Sequence, residues 1–412
     1  MFSAVLFLFL QVANADLRYS FDSYLSAQKN EVINSSINPY NKVLVLPSEE
    51  LNLDLRGELK WRTAKSQTLL RPRWVGQVRQ SKDQLSDEVI QKEKSNFNLT
   101  DAFWEYNWNS VLTTTIGLQV FQWGPAEFLN ASNPFFHFNS QQKSLFFKEK
   151  GQVLWRSNVS LNKENNIVVI FLPVSNNESE WIEEDQFQSK ALIKYEKSWS
   201  GTLNSVGIIA GSEEKKNLFL GEYFNFSFYE GASLYADIKH SQKKINYEPV
   251  FNGLSYDMLY INEVSQSWTN LVVVGLRWES SFDYRIEYIY NSAGFNSTKL
   301  KNAIESASNQ ISLNYLQNLK RFFRPGLELL GQNYIYSSFR IADPFGSKDL
   351  NFYIRDLFSL QDQSNQLQFE LDKSFLNSWT AYANQTLSYG DQDSEFRLTN
   401  AWSFLLGLKY SL

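Results

Sequence analysis

From residue 50 onward the chain alternates apolar and polar side chains in segments of about ten residues, which turn residues separate. The segment 52–62 places Leu53, Leu55 and Trp61 on one face and charged residues on the other. The final segment does the same, with Trp402 on its apolar face. Because successive side chains of a β-strand point to opposite faces, this period predicts strands that are apolar on one side only.

Short and long connections also alternate between these segments. Short connections fall near 64–66, 109–110, 163–164, 200–201, 230–231, 280–281, 343–346 and 377–378. The intervening connections are mostly longer, near 82–96, 124–150, 174–187, 242–267, 292–326 and 391–401, although those near 213–216 and 361–365 are brief. Short turns at one end and long loops at the other predict an all-β fold, a transmembrane antiparallel up-and-down barrel whose short turns face the periplasm.

The direction of the strands predicts their number. Seventeen segments can be counted from Leu51 to Leu412, and the first of them is followed by a short connection. That segment would therefore begin outside the cell, so an exported chain needs one earlier strand, for which 17–27 is the candidate. The total becomes about 18 strands, an even number as bacterial barrels prefer, with 16 as the alternative if one strand has been divided.

The N-terminus predicts export. The apolar run Phe2–Leu10 precedes Ala13-Asn14-Ala15, a small-x-small cleavage pattern, so residues 1–15 read as a signal peptide and 16–412 as one barrel domain. This apolar run is too short to span a bilayer as a helix, and no run elsewhere is long enough, which leaves a barrel as the way to cross a membrane.

Composition agrees with a barrel and narrows the function. Aromatic residues make up 16% of the chain, yet the mean hydropathy is −0.37, which is too polar for a bundle of membrane helices. The net charge of −5 gives no reason to expect nucleic acid as a partner. Cysteine is absent, so stability has to come from a hydrogen-bonded sheet and not from disulfides.

One stretch resembles a known family. The sequence 117–124 has the form G-x-Q-x-x-x-W-G and precedes Asn133-Pro134-Phe135, and it resembles the segment of porin-like outer-membrane barrels in which such a strand leads into an N-P-F/L loop. The C-terminal Tyr410-Ser411-Leu412 is similar to their closing strand, with Leu412 in place of the usual Phe. The resemblance implies a Gram-negative outer membrane, contact with membrane lipid and lipopolysaccharide, and insertion by the barrel assembly machinery. A homotrimer is left open.

The loop that follows this strand is a candidate constriction. Gly124 and Pro125 turn the chain sharply, and the Phe-rich sequence after them needs burial. A loop folded into the lumen would narrow the pore, whereas an outer loop packed on its neighbours, or an exposed apolar binding site, are the alternatives. The residues assigned to the constriction are Trp123, Gly124, Pro125, Glu127, Asn133, Pro134 and Phe135.

Charged residues recur on the polar face of the first strands. If the apolar face meets lipid, these side chains point into the lumen, where guanidinium groups favour anions. The alternative is internal neutralisation, in which Arg and Glu side chains pair and tie the wall together. The residues predicted to line the pore are Arg56, Lys60, Arg62, Arg71, Arg73, Arg79, Asp101, Glu105, Arg156, Arg277 and Arg285.

The segment 292–326 includes a predicted amphipathic helix. Leu300, Ala303, Ala307 and Ile311 recur at helical spacing, and Ser297 or Thr298 is expected to cap its start. Such a helix could act as a lid over the barrel, but packing over the loop layer is the favoured interpretation.

Catalysis is poorly supported by the residues present. The chain has two histidines and no cysteine, without a recognisable metal spacing, so we expect no enzyme, metal or cofactor. His240 and Ser241 are adjacent, which on a strand sends them to opposite faces, and His137 near Ser140 has no orienting motif.

These patterns favour a passive outer-membrane channel for small polar solutes, with anions preferred if the basic ladder acts as a filter. Two alternatives from other classes stay open. One is a carrier of hydrophobic molecules that uses the Phe-rich loop 124–150, and the other is a structural or adhesion barrel that does not conduct.

Overall fold

The computed structural model describes residues 16–135, 151–173, 190–213, 217–242, 247–260, 268–309, 318–319, 322 and 329–412. The predicted signal peptide, the loop 174–187 and residues 136–150, including His137, lie outside the described residues. Within the described part of the chain, no helix is both long and apolar enough to cross a membrane.

Twenty strands make up most of this structure. They are β1 (Asp16–Val32), β2 (Glu49–Arg62), β3 (Ser66–Lys82), β4 (Val89–Asn107), β5 (Leu112–Gln119), β6 (Gln152–Ser160), β7 (Asn165–Leu172), β8 (Lys190–Ser198), β9 (Ser205–Glu213), β10 (Asn217–Tyr229), β11 (Ala232–Gln242), β12 (Tyr247–Phe251), β13 (Tyr256–Tyr260), β14 (Trp268–Glu279), β15 (Phe282–Asn291), β16 (Asn333–Ala342), β17 (Leu350–Ser359), β18 (Asn365–Phe375), β19 (Trp379–Tyr389) and β20 (Asn400–Ser411). All except β12 and β13, which form a separate hairpin, belong to one antiparallel sheet.

The N-terminal strand closes this sheet into a barrel. β1 pairs with β2 between Asp16 and Lys29, and on its other edge with β20 between Asp22 and Val32. The ring therefore has 18 strands, which confirms the predicted number and the predicted strand at 17–27. Closure lets each wall strand find hydrogen-bond partners on both sides, as a span through hydrocarbon requires.

The two rims of the barrel differ as predicted. All eight short connections fall at one rim, here called the turn rim, and the long ones at the other, the loop rim. One loop prediction is wrong, because the connection at 82–96 is reduced to 83–88 and β4 begins at Val89. Its charged residues Lys92 and Lys94 pair with Arg79 and Gln77 in a hairpin that extends the wall, with both of its faces open to water.

The register separates an apolar outer face from a polar inner face. Tyr19 on β1, Phe97 on β4 and Leu406 on β20 are outward and exposed, at 74%, 68% and 51%. Indole rings collect at the turn rim, as a membrane-interface belt does. The tryptophans at this rim are Trp61, Trp108, Trp199, Trp278 and Trp379.

A second packed layer covers the loop rim. It contains the α-helix α1 (Ser297–Ser308), whose Leu300, Ala303 and Ala307 pack with Met258 of β13. The amphipathic helix was predicted, and it packs within the loop layer. Its cap was predicted wrongly, because Asn296, one residue earlier, accepts the backbone N–H of Lys299 at 2.9 Å. Ile311, also assigned to the helix, lies outside the described residues.

Candidate functional site

The chain leaves the wall early after β5 and turns into the barrel. β5 ends at Gln119, four residues before the predicted Trp-Gly end, and the next backbone N–H, that of Val120, points to the Asp101 carboxylate at 3.4 Å. The segment 120–135, here called the inner loop, is therefore longer on its N-terminal side than predicted. Leaving the sheet at Val120 lets Phe121 and Trp123 reach the lumenal wall.

Both ends of the inner loop pack on an apolar part of the lumenal wall. Trp123 and Phe135 bury their rings against Val168, Ile170 and other lumenal residues of β6–β10. Of those strands, β7 is apolar on both faces along Ile167–Leu172. The uninterrupted run Ile167–Leu172, which breaks the alternation seen elsewhere, has this physical reason.

The middle of the inner loop packs on the adjoining part of the wall. Phe128 and Leu129 are 3% and 0% exposed and belong to a cluster with Tyr235, Val273 and Tyr336, from β11, β14 and β16. The Phe128 and Tyr336 rings lie 5.1 Å apart. The inner loop thus extends along the lumenal wall from β6–β10 to β11–β17 and returns to β6–β10 at Phe135.

Two buried carboxylates hold the backbone of this loop. Glu287 on β15 accepts the N–H of Glu127 at 2.5 Å and that of Phe128 at 3.0 Å, and it also accepts the Tyr235 hydroxyl at 2.8 Å. Asp237 on β11 accepts the N–H of Ser132 at 2.6 Å. Both carboxylates are 0% exposed. A loop inside a barrel cannot pair its N–H groups with a neighbouring strand, so wall carboxylates satisfy them.

Two buried lysines on β8 complete the attachment. Lys190 Nζ donates to the Pro134 carbonyl at 3.0 Å. Lys194 Nζ lies 5.6 Å from the Trp123 ring and 5.9 Å from the Phe121 ring, and Glu196 neutralises it at 2.5 Å. Wall carboxylates therefore accept hydrogen bonds from the backbone N–H groups of the inner loop. The β8 lysines donate to a backbone carbonyl of the loop and lie close to its aromatic rings.

Gly124 is required by this arrangement. Its φ of +95° lies in the region that favours glycine, and a Cβ atom there would approach Asp237 Oδ2 to 2.1 Å. The Asn133 side chain fixes the end of the loop, because its Oδ1 accepts the Phe135 N–H at 3.0 Å and its Nδ2 donates to the Phe121 carbonyl at 3.2 Å.

One inner-loop carboxylate enters a charge network on the lumenal wall. Glu127 lies 2.9 Å from Arg285 on β15, and Arg285 also contacts Asp283 at 3.1 Å. Asp283 in turn binds Arg277 of β14 at 2.9 Å. These three strand residues all face the lumen by register.

The predicted basic ladder faces the same lumen from the other side. Asp54 lies between Arg56 and Arg73, at 2.7 and 2.8 Å. Arg71 binds Glu58 at 2.8 Å and Asp101 at 3.2 Å. Further pairs join Arg79 to Glu50 and Arg156 to Glu105. The register places all eleven residues assigned to the pore, including Lys60 and Arg62, on the lumenal face.

Pairing leaves this half of the lumen with an excess of positive charge. Ten cations and seven carboxylates of β1–β4 and β20 face inward, whereas the described lumenal side chains of the other strands and the inner loop carry eight of each. The ten cations are Arg18, Arg56, Lys60, Arg62, Arg71, Arg73, Arg79, Lys92, Lys94 and Lys409, and the seven carboxylates are Asp16, Asp22, Glu50, Asp54, Glu58, Asp101 and Glu105. Ion pairs therefore neutralise most of the lumenal charges, and the basic ladder still leaves this half of the lumen with a net positive charge.

Sequence reasoning missed Asp237 and the anchoring role of Glu287 and the β8 lysines. A signal was present for Asp237, since a lone carboxylate follows Tyr235 and Ala236 in a strand that is otherwise apolar at that level. His240 and Ser241 point to opposite faces as expected. The Ser241 hydroxyl contacts Thr269 at 3.1 Å on the lumenal side, whereas His240 is outward.

A buried carboxyl joins three segments of the loop-rim layer. Glu395, in a short 3-10 turn between β19 and β20, accepts the Leu330 N–H at 2.7 Å and the Tyr334 hydroxyl at 2.7 Å. Its own N–H donates to Asp362 at 2.6 Å, from the connection between β17 and β18. Burial is the largest influence and raises the pKa of Glu395 to about 7, with the Asp362 charge acting in the same direction.

This shift predicts a pH-dependent loop layer. Because the folded pKa lies above the unfolded value, the stabilising effect is complete in acid and is lost as the pH rises through 7. Proteolysis within 390–399 should be faster at pH 8 than at pH 5 by at least about tenfold, the equivalent of one pKa unit. The Glu395→Gln variant should lose this difference, and an equal pH response in both proteins would contradict the assignment.

Comparison with known proteins locates the fold. No family model matches the chain, and no curated protein matches it either. Among solved structures, OccAB1 of Acinetobacter baumannii is 7% identical over 97% of this chain and 96% of that one, with a TM-score of 0.58. OpdL of Pseudomonas aeruginosa is 11% identical over 96% and 99%, with a TM-score of 0.56.

OccK2 (OpdF) of Pseudomonas aeruginosa, crystallised in complex with glucuronate, is 8% identical over 96% of this chain and 98% of that one, with a TM-score of 0.56. These structures are outer-membrane porins of the Occ/OprD group. The likeness extends over nearly the whole of each chain, so this protein shares the fold of those structures, an 18-stranded antiparallel β-barrel. At such low identity the likeness concerns the fold.

Proposed function

We propose that this protein is an outer-membrane channel through which small polar solutes diffuse passively, with a preference for anions. The observation that carries the proposal is the inner loop, which packs inside the closed barrel against β6–β17 and leaves the basic half of the lumen as the polar route. Field focusing in a narrow lumen makes an excess of three positive charges effective on a passing ion. No catalytic step is part of the proposal.

The similar structures support this choice of function. They are channels and not enzymes, and OccK2 was crystallised with glucuronate, a small polar carboxylate. A carboxylate solute suits the guanidinium groups of Arg56, Arg71 and Arg73, because an arginine fork can bind two carboxylate oxygens at once. We assign the residues predicted to line the pore and the constriction to these roles on that basis.

Several parts of the proposal concern the cell envelope. We infer that the protein is exported by the signal peptide 1–15, inserted by the barrel assembly machinery through its β20 signal, and surrounded by membrane lipid and lipopolysaccharide. The sequence 117–124 together with Asn133-Pro134-Phe135 then marks a porin-like family. A homotrimer is compatible with this arrangement.

The hydrophobic-carrier alternative receives less support. Phe128 and Phe135 of the inner loop are 3% and 9% exposed, because they fill clusters with the lumenal wall. They do not offer an open surface to an apolar ligand. The other Phe residues of that hypothesis lie outside the described residues.

Planar bilayers test the channel directly. Purified protein should give discrete current steps, with a reversal potential in a salt gradient that corresponds to anion preference. Absence of steps from correctly folded barrels, judged by heat-modifiable electrophoretic mobility, would reject the channel. Steps with cation preference would retain the channel and reject the role of the basic half.

A further inference from the structure

The outer wall of the barrel has an open apolar groove near the loop rim. It has a volume of about 850 Å³ and crosses β6–β10. Its floor consists of the small side chains of Ala191, Ala210 and Ser212, which face outward. Bulky outward side chains form its walls, and several are about half exposed, including Phe171, Ile193, Leu218 and Leu220.

The position of the groove identifies the leaflet. Its residues come from the last residues of β7 and β9 and the first residues of β8 and β10, and these strand ends all lie at the loop rim. Trp155 and Trp268 flank it, as indole rings do at a membrane interface. In an outer-membrane barrel the loop rim is extracellular, so the groove opens to the outer leaflet.

A polar cluster adjoins the groove on the same outer face. His240 on β11 is the strand neighbour of Leu220, and its Nδ1 lies 2.7 Å from Asn270 Oδ1. His240 Nε2 lies 3.8 Å from a Glu222 carboxylate oxygen. The Glu222 side chain is 57% exposed. Ionisable side chains on a membrane-facing surface are costly and mark functional sites.

We propose that this groove and the cluster Glu222–His240–Asn270 form one binding site for lipid A. An acyl chain lies over Ala191 and Ala210, and hydroxyl and amide donors at the head of the acyl chains meet the Glu222 and Asn270 oxygens. Lipid A has both the acyl chains and the hydroxyl and amide donors, and it occupies the outer leaflet. The site is continuous with the lipid-covered wall and rests on the outer-membrane location in the proposed function.

Shape, and not hydrophobicity, selects this occupant. Neighbouring lipid tails are as apolar as the groove, so the gain comes from dispersion contacts of a chain seated between bulky walls. A second copy of the protein fits less well. A symmetric interface would bring two concave surfaces face to face, and neither copy would fill the other's groove.

Native mass spectrometry of the purified full chain tests the site, with hexa-acylated lipid A and phosphatidylethanolamine added as separate probes. Wild type should retain one lipid A through detergent. The double variant Ala191→Phe/Ala210→Phe fills the groove and should reduce the retained fraction at least about fivefold, since about 1 kcal/mol corresponds to that ratio. His240→Phe should reduce it less.

The control is Ala383→Phe, at a small outward residue on β19 across the barrel, which should retain lipid A as wild type does. Equal retention in all four proteins, or equal retention of phosphatidylethanolamine by wild type, overturns the proposal. Oligomers that dissociate only in the filled variant would assign the face to a second copy instead. Bilayer currents should be unchanged in the double variant, so a failure of the channel function is seen separately.

Discussion

Glu287→Ala should release the inner loop and raise the single-channel conductance, with added current noise. The carboxylate accepts two backbone N–H groups of the loop and one tyrosine hydroxyl while fully buried. Leaving two buried N–H groups without an acceptor costs about 2–6 kcal/mol, at 1–3 kcal/mol for each. A loss of that size shifts the loop from almost always docked to substantially displaced.

Two further proteins make the Glu287 measurement specific. Glu287→Gln keeps one acceptor oxygen, so its conductance should lie between those of wild type and the alanine variant. Glu31→Ala removes an exposed glutamate from the outer face of β1 and should behave as wild type. Wild-type conductance in a folded Glu287→Ala barrel would show that the inner loop stays in place without this carboxylate.

The triple variant Arg56→Ala/Arg71→Ala/Arg73→Ala should lose anion preference or reverse it. These arginines contribute three of the ten cations in the basic half, and their partners Asp54, Glu58 and Asp101 would stay behind. One unit charge at about 4 Å changes the energy of an ion by about 1 kcal/mol even in water. The anion-to-cation permeability ratio should therefore fall at least about fivefold, and less at 1 M salt because of screening.

The arginine measurement needs a variant that folds securely. Asp54 and Asp101 are buried, and a buried charge without its partner costs about 3–5 kcal/mol. Adding Asp54→Asn to the triple variant removes one of these charges and should still reduce anion preference. Lys197→Ala, on the outer face of β8, is the control for loss of a cation. An unchanged reversal potential in the triple variant would reject the ladder as the filter.

Most features of the barrel could be predicted from the sequence: its strands, its two rims and the face on which each residue lies. Alternation at a period of two survives along almost every strand, because one face meets hydrocarbon and the other meets water or charge. Loop lengths then gave the rims, and the parity argument gave β1, whose pairing with β20 closes the ring. The register also places each predicted ladder residue inward, since the choice of face is binary once a strand is recognised.

The alternation fails where both faces of a strand have the same environment. At 89–98 both faces meet water, so the charges suggested a loop although the hairpin continues. At Ile167–Leu172 both faces have apolar surroundings, the inner face because the inner loop packs on it, so the alternation disappears. That apolar run indicates a loop inside the barrel. The sequence alone does not identify which segment packs on its inner face.

The sequence by itself determined the wall: which residues face outward, how many strands close the ring and which rim has the long loops. Those features depend on the two-residue alternation of apolar and polar side chains and on the direction of each strand, and both can be read from neighbouring residues. Only the tertiary structure decided what fills the lumen. Contacts of Glu287, Asp237 and Lys190 with the inner loop join residues 56 to 160 positions apart, and no local pattern encodes a pairing of that range.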